Sequence, residues 1–71
     1  MINDQLTALK ITLADAYVRL QALEVEQSAN IRAMHKKPTD ENMDKVHNLL
    51  SVVAGARADL ETALNAVKSH S

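Results

Sequence analysis

A chain of 71 residues with net charge −1 and no cysteine fills one small domain at most. It excludes disulfide staples, thiolate zinc sites and a general electrostatic pull toward nucleic acid or anionic membrane. Apolar residues make up 46%, but 11 of those 33 are Ala and the single aromatic is Tyr17, so one core is marginal and oligomerisation or a partner must supply the missing stability.

The first element is a helix over residues 3–36. Ile2, Leu6, Leu9, Leu13, Ala16, Leu20, Leu23, Gln27, Asn30 and Met34 alternate by four and three, a heptad seam sustained for more than four repeats. Asn3 or Asp4 can cap its start. Arg32, His35, Lys36 and Lys37 gather at its end, where cations suit the helix dipole.

Pro38 stops this helix and disfavours helical geometry at Lys37. Thr39 is placed to cap the next helix, and Asp40, Glu41 and Asp44 put negative charge at its start. A turn at 37–39 is short enough to make the two helices antiparallel neighbours.

The second helix spans residues 40–69, with a seam at Met43, Val46, Leu50, Val53, Arg57, Leu60, Leu64 and Val67. The fold class is therefore all-α: an antiparallel two-helix hairpin, coiled-coil-like, one domain over 1–71, with arms about 45–50 Å long at 1.5 Å per residue. Facing residues should have numbers summing to about 77. That sets Leu20 near Arg57, Leu23 near Val53 and Ala54, and Gln27 near Leu50. Arg57 then either lies partly exposed with Glu24 or Gln27 accepting from it, or makes a register-setting polar contact.

A second set of apolar residues lies off each seam. On helix 1, Ile11, Val18 and Val25 recur at seven on the far side, and Tyr17, beside Val18, is an anchor candidate. On helix 2, Leu49, Val52 and Ala56 lie beside the main stripe. A two-helix pairing leaves these residues uncovered, so Ile11, Tyr17, Val18, Val25, Leu49, Val52 and Ala56 are the candidate partner-binding residues. Ala54, Gly55, Ala56 and Ala58 form a small-residue patch. Either a neighbouring helix approaches it closely, or the helix tolerates a glycine costing about 1 kcal/mol against Ala.

Chemistry is sparse. His35, His47 and His70 are the three imidazoles, and Asp44 and His47 share a face, but no second pair completes a metal site. Gly55 alone makes no phosphate-cradling loop. The serines lack an activating base. Neither an enzyme nor a cofactor is expected. No apolar run approaches the roughly 20 residues that span a bilayer, and Met1-Ile2-Asn3-Asp4 does not read as a signal peptide. A soluble cytoplasmic protein is the expectation.

In size, in lack of Cys and in a polar turn between two helices, the chain resembles the small hairpin co-chaperones of type III secretion needle subunits. Its Lys37-Pro38-Thr39-Asp40 turn is also similar to the turn of the needle subunits themselves, although the second turn proline and the aromatics of those subunits are lacking. The resemblance implies a cytoplasmic protein that pairs with a repeat-helix chaperone and keeps a secretion subunit unpolymerised. It carries over no binding residue by position. Small hairpin regulators of plasmid or phage type share the architecture. The sequence thus points to a protein–protein interaction module, a co-chaperone or adaptor. The other reading is a dimeric four-helix-bundle regulator that could touch nucleic acid.

Overall fold

The structure, a computed structural model, describes residues 2–70, with side chains from Asp4 to His70. Two helices make up the chain: α1, Ile2–Lys36, and α2, Asp40–His70. They pack antiparallel along their whole lengths into a rod of 54 × 14 × 12 Å. Its radius of gyration is 16.2 Å, against about 11 Å for a compact domain of this length. Among the described residues there is no strand.

α1 begins at Ile2, so Asn3 and Asp4 lie inside the first turn rather than capping it from outside. Asp4 there meets the positive end of the dipole. The side chains of Ile2 and Asn3 lie outside the described residues. From Leu6 to Met34, every residue of the expected α1 seam is buried or half-buried, and its neighbours are exposed.

At the turn, the Thr39 N–H donates to the Lys37 carbonyl at 2.8 Å. The Thr39 hydroxyl accepts from the Asn42 N–H at 3.2 Å, the geometry of an N-cap satisfying the third free amide of α2. Asn42 adds a contact that sequence reading missed. Its side-chain amide donates to the Lys37 carbonyl at 2.8 Å and reaches the Ala33 carbonyl at 3.5 Å. One residue of α2 thereby caps the end of α1.

The α2 seam differs from the expectation at three of its eight positions, Leu64 being half-buried as expected. Val46, Val53, Leu60 and Val67 face α1, but Met43, Leu50 and Arg57 do not; Asn42, Leu49, Ala56 and Ala63 take the alternate positions. The buried core is Leu20, Val53 and Ala56, with Leu23, Leu49 and Leu60 packed against it. Two physical reasons favour this choice. α1 presents leucine at five of its seam positions, and alanines opposite them let the helices interdigitate. The other stripe would also drive the Arg57 guanidinium between the helices, where desolvating it is costly.

Candidate interaction surface

Rotating α2 in this way sends its bulkier stripe outward. Among the described residues, eight large apolar side chains are well exposed: Ile11, Tyr17, Val18, Val25, Ile31, Met43, Leu50 and Val52. They fall on three surfaces.

The first is a groove along one side of the seam, about 540 Å³, lined by Glu24, Gln27, Ser28, Ile31, Leu50, Val53, Ala54 and Arg57. Tyr17 lies seven residues before Glu24, and Met43 seven before Leu50, so both continue the same borders. Midway, Arg57 Nη2 donates to Glu24 Oε2 at 2.9 Å. Both side chains are about half exposed, so the pair bridges the rim and adds at most about 1 kcal/mol. Arg57 is thus the partly exposed arginine with Glu24 as its acceptor. The groove is large enough for a small ligand, but its two charged groups are directed at each other instead of converging on the cavity.

Gln27 lies at the floor of this groove and is 7% exposed. Its Nε2 donates to the Val46 carbonyl at 3.3 Å, while its buried Oε1 has no donor. An unmet buried acceptor costs about 1–3 kcal/mol.

The second surface is the outer line of α1, where Ile11, Val18 and Val25 are all more than half exposed. The third is the opposite side of the seam. There Arg19, Asp59 and Lys45 stand among Leu23, Leu49 and Val52, and Val52 is the one large apolar residue well exposed. Gly55 lies on this side too. A Cβ built there meets nothing within 4 Å, so α1 does not approach it and no tight contact within the hairpin calls for glycine.

The seven residues proposed from sequence therefore separate. Ile11, Val18 and Val25 form one line, Tyr17 belongs to the groove, and Val52 stands on the opposite side. Leu49 and Ala56 are corrected: Ala56 is 6% exposed and part of the core, and Leu49 packs against it. Both are largely occupied within the hairpin, Ala56 in its core and Leu49 half-buried against it. Ile31, Met43 and Leu50 were missed as surface residues. The available signal was Arg57, which shares the line of Met43 and Leu50 and marks it as outward-facing.

Among the described residues, no cluster of three or more metal-ligating side chains occurs, and no helix is long and apolar enough to cross a membrane. Comparison with family models, curated proteins and solved structures gives no match to this chain. The likeness to secretion co-chaperones and needle subunits therefore stands at the level of a two-helix hairpin.

Proposed function

We propose that this chain is a non-enzymatic interaction module, an adaptor that works by having its exposed apolar surfaces covered by protein. One observation carries the reading: among the described residues, eight large apolar side chains are in solvent, while the buried core holds Leu20, Val53 and Ala56. A soluble hairpin of this size gains by covering such surface. The finer role, co-chaperone in a type III secretion needle-subunit complex, is supported by the architecture: two long helices, a short Pro-Thr-Asp turn and an uncovered outer line on α1.

Val18→Asp tests the reading. The substitution places a carboxylate in the middle of the outer line and leaves Leu13, Leu20 and Leu23 untouched. Burying that charge unpaired is costly, so proteins captured by the parent from its native cell extract should be lost while circular dichroism still reports helix. Capture of the same proteins with unchanged affinity would make the outer line ordinary surface and remove the adaptor reading. A captured set without a secretion subunit or repeat-helix chaperone removes the finer role.

A further inference from the structure

Resting on the interaction-module reading, we propose that the groove beside the Glu24–Arg57 pair is covered by a second copy of this chain. The two-fold axis runs parallel to the helices, so the two turns lie at the same end and α1 of each copy lies over α2 of the other. Two observations point to this occupant, the exposed area of the whole hairpin and the charges of the groove.

The first is area. A compact monomer of 7.8 kDa exposes about 4,400 Å², and this hairpin exposes 5508 Å². The excess of about 1,100 Å² compares with the roughly 800 Å² per partner of a standard stable interface. One further hairpin is enough to cover it.

The second is charge. The groove carries one acid and one base, 2.9 Å apart, at the end of its lining away from the turn, with Ile31 and Leu50 on the turn side. About a lengthwise two-fold, each residue meets the partner helix at its own level. Glu24 of each copy then lies beside Arg57 of the other, and the four charges alternate in a ring. Ile31 of each copy lies near Met43 and Leu50 of the other, toward the turns. The opposite side of the seam pairs Arg19 with Asp59 in the same way, but it exposes one large apolar residue, Val52, where the groove side exposes Ile31, Met43 and Leu50.

The outer line of α1 points away from this contact and stays free for a foreign partner.

The test is sedimentation equilibrium of the purified parent, E24R, R57E and an equimolar mixture of the two variants, with circular dichroism on each sample. The parent should be a dimer. Each variant alone places like charges in the ring and should weaken the dimer by about tenfold or more. The mixture should regain affinity close to the parent's, because each arginine of one copy then faces a carboxylate of the other across the interface. Variants that lose helix alone and regain it on mixing give the same support. A parent that sediments as a monomer, or a mixture no tighter than the separate variants, overturns the proposal.

Orientation is read from a spin label on Lys37→Cys, in a chain that has no other cysteine. Label separations near the hairpin's 14 Å width support the parallel two-fold, and separations near its 54 Å length overturn it. A monomeric parent that still loses its captured proteins on Val18→Asp overturns self-association while the adaptor reading stands.

Discussion

Among the described residues, Gln27 is the one whose buried side chain leaves a polar atom unmet. It occupies a seam position that leucine fills elsewhere in α1, and it meets only one of its hydrogen-bonding needs, at 3.3 Å. Replacing it with leucine removes a bond worth about 0.5–1.5 kcal/mol net and an unmet acceptor costing about 1–3 kcal/mol. For the hairpin alone, Gln27→Leu is therefore expected to stabilise by about 1 kcal/mol, read as a higher Tm in thermal denaturation. A lower Tm would mean that Oε1 is satisfied in solution by a donor from outside the hairpin. Polar seam residues also fix register. The Gln27→Leu protein should gain stability and lose some uniqueness of pairing.

At the scale of the elements, the turn depends on two side chains. Thr39 caps α2, and Asn42 caps α1 from within α2. Thr39→Ala is expected to cost about 1 kcal/mol. Asn42→Ala should cost about 0.5–1.5 kcal/mol, the net worth of one hydrogen bond, because the Lys37 carbonyl that its amide holds at 2.8 Å keeps the Thr39 N–H as a donor. Chemical denaturation of the two variants checks this, and an Asn42→Ala protein as stable as the parent would show that α1 ends without that cap. Thr39 was legible in advance because Pro38 fixed where the helix had to restart. Asn42 was not, since its partners lie across the turn and depend on how the helices approach. The α1 seam was legible in full over the described side chains because its leucines leave one choice of face. α2 offers two stripes flanking Val46, Val53, Leu60 and Val67, and bulk favoured the wrong one. The fit of alanine against leucine and the cost of burying Arg57 decide between them, and both are properties of the pair of helices.

For the whole molecule, the uncovered groove links folding to association. Among the described residues, only Leu20 and Val53 of the larger apolar side chains are buried, neither of them completely, each worth at most about 1.5–3 kcal/mol. Anything that binds only the folded hairpin stabilises it by mass action. The Tm should therefore rise with protein concentration, by several degrees over a hundredfold range for a domain this small. Calorimetry at dilute and concentrated protein checks this, and a Tm independent of concentration would show that a single hairpin carries its own stability.

The three-residue connection between α1 and α2 also sets an order of events. Contacts beside Pro38 join residues close in sequence, as when Asn42 meets Lys37, while those at the far end join residues more than fifty positions apart. Each successive pair along the rod closes only a small additional loop once the pair before it has formed. The hairpin should thus assemble as a zipper running outward from the turn and open in the reverse direction. Backbone amides near residues 33–46 would then exchange their hydrogens more slowly than those near Leu6 and Val67. Any partner that grips the open end would act on the part of the rod that comes apart first.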